Sequence, residues 1–174
     1  MAKQRPRGLT HLDARGRARI VDVSAKEVTA RLARASGEIR MAAKTLRLLK
    51  SGRAAKGDVL AVARVAGIQA AKDTARWIPL CHPLGLNSIT VEFELAAAAS
   101  AVVVTAEARV TARTGVEMEA MTAVAAALLT IYDMLKAVDR GMVLGAIRLE
   151  EKRGGRSGVW RRAESGTRAK RGLR

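Results

Sequence analysis

Cysteine occurs once in the 174 residues of this chain, at Cys81. An intrachain disulfide is thereby excluded, and so is a cysteine-rich zinc site. Aromatic side chains make up 2%, as Trp77, Phe93, Tyr132 and Trp160, too few for the stacking platforms that hold single-stranded nucleic acid. Histidine is confined to His11 and His82. Because Cys81 and His82 are adjacent, an extended backbone would point them to opposite faces, and no metal site is expected. The longest unbroken apolar run, Ala123 to Leu129, falls far short of the roughly 20 residues a bilayer span needs, so no membrane partner is expected. No apolar stretch follows the basic N-terminus, which is therefore not a secretory signal. An Arg-rich organellar presequence is the weaker reading, and a cytoplasmic location is the default.

What the chain does have is apolar content and positive charge. Hydrophobic residues are 49% and charged residues 28%, enough for one sizeable core at a length where folding hides roughly 70% of the unfolded surface. The net charge is +16, an excess that ordinarily points to a polyanion. Its placement argues otherwise. Residues 1–19 hold six basic and one acidic side chain, residues 152–174 hold nine and one, and the span between holds 17 and 14. The expected organisation is a basic N-terminal segment over 1–19, a single folded domain over 20–158, and a basic, disordered tail over 159–174. Nucleic acid is not the expected partner.

Residues 17–24 alternate as a short strand, and 28–41 as a longer one in which Gly37 marks a bulge or turn. The leucine spacing of 42–51 predicts a short helix ended by Gly52, and 56–77 repeats apolar residues at helical spacing, with Asp58 as its cap. Val59, Val62, Ala63, Ala66 and Ala70 form the expected stripe of that helix, and Gly67 lets another helix approach closely. Pro79 and Pro83 force IPLCHPL (78–84) into a constrained loop or extended stretch. SITVEFEL (88–95) and AVVVTAEARV (101–110) read as an antiparallel pair joined by AAAAS. A helix follows over 116–140, apolar nearly all round between Ala120 and Ile131 and therefore buried on several sides. Gly141 stops it, and 142–152 supplies a last strand. Setting aside the first strand and the short helix, the order is strand, helix, strand, strand, helix, strand. That order predicts an α+β fold of the ferredoxin-like, split βαβ kind, an antiparallel sheet packed against helices.

Three polar clusters interrupt the apolar pattern. LCHP holds His82 between Leu80 and Pro83, where a hydrogen-bonded structural imidazole and a functional one have even claims. RTGVEMEA sets Glu117 and Glu119 at a helix entrance, where carboxylates also complement the positive end of the helix dipole. YDMLKAV plants Asp133 and Lys136 at i and i+3 in the most apolar helix of the chain, so a partly buried pair tuned for proton transfer is expected. Lys56, in KGD, stands at a helix start where phosphate oxygens are readily accommodated. Distance constrains these clusters. In one continuous helix Glu119 and Asp133 lie roughly 21 Å apart along the axis, too far for one small pocket. Either the glutamates lie in a loop that folds back, or a long ligand spans the gap, or two subunits contribute different ends of the helix. The last is preferred, because an all-round apolar helix in so small a domain also calls for partner surface.

Seven strings carry a family likeness: VDVSAK (21–26), KGDV (56–59), AGIQAAK (66–72), IPLCHPL (78–84), TGVEMEA (114–120), LTIYDMLKAV (129–138) and GGRSG (154–158). In this order they resemble the cyclic pyranopterin monophosphate synthase family of molybdenum-cofactor biosynthesis, from about Leu9 to Gly158. The resemblance implies a lyase of ferredoxin-like fold, assembled as a homohexamer (a trimer of dimers) with its sites at the dimer interface. The implied substrate is a nucleotide triphosphate, a cyclised dihydro-GTP, and the products are cyclic pyranopterin monophosphate and pyrophosphate. The family's catalytic acid/base falls on Asp133, with Lys136 beside it and Lys56 assisting. Its substrate contacts fall on Leu80, Cys81, His82, Met118 and Glu119, with Glu117 also in the site. A pyrophosphate leaving group needs cations, a demand that Lys56, His82 and Lys152 or Arg156 fit. Arg156 stands where a lysine is common in the family, keeping charge but not geometry. No cofactor is required by the resemblance, and a divalent cation with the triphosphate is left open. The competing reading is a basic ferredoxin-like RNA-binding module, indifferent to the Asp133/Lys136 pair.

Overall fold

Alternating small and β-branched residues build the three long central strands. In the computed structural model, which describes residues 15–163, β1 spans Thr29–Arg40, β2 Ser88–Ala96, β3 Ala101–Ala112 and β4 Val143–Arg153. A two-residue strand, β5 (Trp160–Arg161), completes an antiparallel sheet of order β2-β3-β1-β4-β5. The first four strands carry the order of the split βαβ plan, so the expected ferredoxin-like architecture is present. Helices α1 (Ala43–Lys50), α2 (Val59–Lys72), α3 (Thr74–Trp77) and α4 (Glu117–Leu135) supply the second layer. Ala33, Ala35 and Ile39 of β1 and Val102, Val104, Ala106 and Ala108 of β3 are fully buried beneath α4. The opposite sheet face is polar, with Arg34 bonded to Glu107 (2.7 Å) and Glu92 and Glu94 exposed on β2. This face is of mixed charge, Arg34, Arg40, Arg109 and Arg148 pairing with its glutamates, and it lacks the aromatic platform on which RNA bases stack.

Several sequence expectations need correction. Residues 17–24 form no strand: a single bridge residue, Ala18, is followed by irregular chain and a turn. The 56–77 helix is broken at Asp73 into α2 and α3, and its buried stripe is Val59, Ala63, Gly67, Ala70 and Ala71, with Val62 exposed. That stripe steps by three and four residues, the true helical period. Asp58 does cap α2, its Oδ1 accepting from Ala61 N at 3.0 Å. Gly67 does admit α4, since a Cβ there would stand 2.9 Å from the Ala123 carbonyl oxygen. Gly37 sits inside a continuous β1; opposite it, β4 carries the extra residue of a bulge, with Ala146 at φ 52°. The expected tail begins with β5, so ordered structure passes Gly158; residues 1–14 and 164–174, most of the two basic ends, lie outside the described residues.

Helix α4 is long and apolar enough to cross a membrane, yet it is the core helix here, with Ala120, Ala123, Val124, Ala127, Leu128 and Ile131 fully buried. It ends at Leu135, short of Gly141, because the chain tightens into a turn in which Val138 N bonds Leu135 O. Asp139 then accepts from Ala42 N and Thr45 Oγ1, both at 2.9 Å, pinning the turn to the start of α1.

Candidate active site

The first turn of α4 opens onto a cavity of about 260 Å³. Its wall contains all six residues expected there from the IPLCHPL and TGVEMEA strings: Leu80, Cys81, His82, Glu117, Met118 and Glu119. Glu119 is 4% exposed. Burial, reinforced by the neighbouring Glu117 charge and opposed by the residue's own backbone N–H, raises its carboxyl from 4.5 to about 7. A carboxyl so placed exchanges its proton near neutrality. Burial and the Glu119 charge also push the Cys81 thiol up. Cys81 is thus a polarizable wall of the cavity, with its proton held in place. Glu117 folds back over Gly115, where any Cβ would collide with its carboxylate. His82 Nε2 stands 2.8 Å from the Val21 carbonyl oxygen. A carbonyl only accepts, so that nitrogen carries the ring proton.

A second, basic cavity of about 630 Å³ shares Lys26, Thr114 and Gly115 with the first. Arg31, Arg113 and Arg156 line it. Arg31 enters from β1 and is fixed by donating Nε to Ala112 O (2.9 Å) and Nη2 to Arg113 O (3.1 Å). The glycine pair of GGRSG makes room for it: Gly154 and Gly155 have φ of 94° and 68°, and a Cβ on Gly155 would overlap the Arg31 guanidinium. The glycines therefore seat an arginine, and the anion would be met by the guanidinium edge that remains. Arg156 is where the sequence put it, in a cationic wall. Lys152 lies outside both linings, its amine against Ser157 Oγ. Sequence reasoning missed Lys26, Arg31 and Arg113. Lys26 and Arg113 were within quoted strings, VDVSAK and RTGVEMEA, but nothing local marks Arg31, which meets Arg113 only when β1 and β3 pair.

The third group sits at the far end of α4. Asp133 Oδ1 meets Lys136 Nζ at 2.7 Å and its Oδ2 meets Lys56 Nζ at 2.8 Å; the Lys56 amine also donates to the Asp133 carbonyl at 3.0 Å. Lys136 first and Lys56 second hold the Asp133 carboxyl down at about 2, and Asp133 in return raises Lys136. The expectation of a partly buried pair fails within one chain: the Asp133, Lys136 and Lys56 side chains are 55%, 52% and 47% exposed, and none lines either cavity. The reason is the helical period: Ile131, Met134 and Leu135 face the core, which turns Asp133 outward even in the last turn of α4. The sequence did not foresee the direct Lys56 bridge, since 77 residues separate the partners.

Residues 20–155 match the model of the MoaC family. The chain belongs to that family. It is similar to proteins named cyclic pyranopterin monophosphate synthase from Novosphingobium aromaticivorans, at 60% identity over 90% of this chain and 98% of the relative, and from Thermomicrobium roseum, at 58% over 90% and 94%. A Mycobacterium bovis protein named cyclic pyranopterin monophosphate synthase 3 is 57% identical over 90% of this chain and 88% of its own length. The MoaC-family span takes in the acidic cavity, the Asp133 triad and the lining of the basic cavity apart from Arg156 and Ser157. Glu117, Glu119 and Asp133 all belong to the one helix, α4, which removes the loop alternative and sets the acidic cavity roughly 21 Å along the axis from the triad. Among the described residues no three His, Cys, Asp or Glu side chains gather as a metal site.

Proposed function

We propose that this chain is a cyclic pyranopterin monophosphate synthase whose active site is completed by a second copy of itself. As a lyase of molybdenum-cofactor biosynthesis, it rearranges a cyclised dihydro-GTP and releases pyrophosphate. The observation that carries the shared site is the separation of its two halves on a rigid helix. Glu119 and the triad stand too far apart to reach one small ligand from the same chain, which favours the triad of one copy meeting the cavities of another over a long ligand that spans the gap. The surface agrees: Leu129, Asp133 and Lys136 recur at i, i+4 and i+7, and Leu129 is 54% exposed beside the triad. Apolar surface left bare around a charged cluster fits an interface core. A cytoplasmic homo-oligomer, a hexamer as a trimer of dimers, is part of this proposal.

The chemistry divides between the halves. In the acidic cavity, Glu119 and Glu117 face the hydrogen-bond donors of a guanine-like ring, with Leu80, Cys81, His82 and Met118 as walls. Next door, Lys26, Arg31, Arg113 and Arg156 face the polyphosphate, and the shared Lys26 sits where base and phosphates join. The arriving triad brings Lys136 and Lys56 as proton donors. Asp133, a carboxylate at neutral pH, orients both ammonium groups and accepts the proton that the rearrangement releases. Attack of a sugar hydroxyl on the α-phosphorus then expels pyrophosphate, whose added charge is met by the arginines.

Mixing inactive variants tests the shared site. Asp133→Asn and Glu119→Gln are each expected to be inactive. Unfolded together and reassembled one to one, they recover about a quarter of the parent's turnover, because half the dimers are mixed and each of those holds one intact site. A mixture that stays inactive while the mixed dimers form would refute the shared site.

A further inference from the structure

We infer that His82 is a positioning residue: its imidazole latches the segment over residues 20–27 across the acidic cavity as a strap. This deepens the proposed function and rests on it for the identity of the substrate. The segment has no helix or strand of its own. Inside it, Asp22 Oδ1 accepts from Ser24 N (2.8 Å) and Lys26 N bonds Val23 O (3.0 Å), which fixes a local turn but ties it to nothing else. Among the described residues, two hydrogen bonds fasten the segment to the body. One is His82 Nε2–H to Val21 O at 2.8 Å; the other is Arg113 Nε–H to Lys26 O at 3.1 Å. They grip opposite ends of the stretch that covers the cavity. Between them, half-buried Val21 and Val23 point into the cavity that His82 itself lines, while their neighbours Asp22 and Ser24 are exposed.

The latch has consequences for what His82 can do. Its backbone is held in the loop between Pro79 and Pro83, where Cys81 N bonds Ile78 O at 3.0 Å, so the ring is a fixed post and the strap is the movable part. Neutral and charged imidazole both carry a proton on Nε2, so the latch holds in either state. The proton on Nε2 is committed to Val21, and using it in catalysis would release the strap. What the strap supplies is a dry wall and a placed cation: with Val21 held, Lys26 stands at the junction of the two cavities, on the seam between base and polyphosphate. Losing the latch should therefore weaken substrate binding more than it slows the chemical steps.

Hydrogen exchange on the full-length, ligand-free protein reads the strap directly, alongside steady-state kinetics of two variants. In His82→Ala, exchange over 20–27 should quicken about tenfold, the worth of one lost hydrogen bond, with exchange in the central strands unchanged as the control for folding. KM should rise about as much, and more than kcat falls. His82→Gln, whose amide N–H can reach the position of Nε2–H, should restore protection and bring KM back toward the parent value. Two results would overturn the latch: unchanged exchange over 20–27 in His82→Ala, or a His82→Gln protein with a protected strap and a kcat as low as that of His82→Ala. The exchange arm needs no substrate, so it stands if the parent chain proves to lack the proposed activity.

Discussion

Replacing Glu119 by Gln should change how stability depends on pH, by an amount the structure sets. The carboxyl is 4% exposed and titrates at about 7 in the folded chain, against 4.5 as the ordinary value, chiefly because burial disfavours its charge. Below pH 4.5 the group is protonated in both folded and unfolded chains and has no effect. Between pH 4.5 and 7 the unfolded chain releases the proton and the folded chain keeps it, so stability falls as pH rises, and above 7 the loss is complete. At 1.36 kcal/mol per pH unit the whole loss is about 3 kcal/mol, of which about 2.5 kcal/mol falls between pH 5 and pH 8. Urea unfolding of the parent and Glu119→Gln at those two pH values measures it. Comparing the two proteins at each pH cancels the other titrating groups, and Asp22, Glu107, Asp133, Asp139, Glu150 and Glu151 are in any case held below their ordinary values. The parent should lose the stated stability relative to the variant. Equal losses in both would mean that burial does not hold the Glu119 proton toward neutrality, and the reading of Glu119 as a buried acid would fall.

Other substitutions probe the frame and the triad. Gly37→Ala would bring a Cβ within 2.8 Å of Val124 Cγ1 and 3.0 Å of Leu128 Cδ1, an overpacking expected to cost about 1–3 kcal/mol in urea unfolding; an unchanged midpoint would show that α4 can lift from β1. Asp133→Asn should abolish turnover in a single-turnover assay while leaving the unfolding midpoint near that of the parent, since its ion pairs are exposed; full activity would end its catalytic role. Gly115→Ala should displace the Glu117 carboxylate and raise KM, because the two cannot share the space. Removing residues 164–174 should leave turnover intact, and a cut before β5 should not be equivalent, since Arg161 bonds Glu151 and Arg162 N bonds Glu150 O.

How much of this was legible depends on how local each cause is. Strand alternation in 28–41 and 101–110, the Asp58 cap and the close approach at Gly67 are properties of neighbours in sequence, and each appears in the structure, the strands as Thr29–Arg40 and Ala101–Ala112. Of the six residues around the acidic cavity, His82, Glu117 and Glu119 show locally as polar groups planted in apolar runs, while Leu80, Cys81 and Met118 came only from the family resemblance. The false strand at 17–24 has alternation too, but its Val21 and Val23 are spent on lining a cavity, which period alone does not distinguish from sheet pairing. Arg31, Arg113 and Lys26 are brought together by β-pairing over long separations, and Lys56 reaches Asp133 only through the fold. No pattern along the chain records such meetings.

The exposure of the triad, opposite to what an apolar helix promised, has a physical reason if the proposed shared site holds: each half-site must be stable before assembly. An unpaired carboxylate on a surface destined for an interface would have to be stripped of water alone, at a heavy cost. With two ammonium groups already bonded to it, Asp133 enters the interface as part of a preformed cluster with one excess positive charge, and that charge complements a triphosphate waiting on the other copy. The opposite half holds its own difficult group in the reverse manner, burial raising the Glu119 carboxyl to about 7 so that it keeps its proton up to near neutrality. Neither half carries an uncompensated buried charge on its own. On the proposed shared site, the balance shifts when both halves and the nucleotide meet: the phosphates draw on the lysines, the Asp133 carboxylate loses part of its pairing and becomes the stronger base, and water is excluded around all three. That proposal makes catalytic competence a product of assembly, and it accounts for a lone copy that shows a surface ion cluster at one end of α4 and a buried acid at the other.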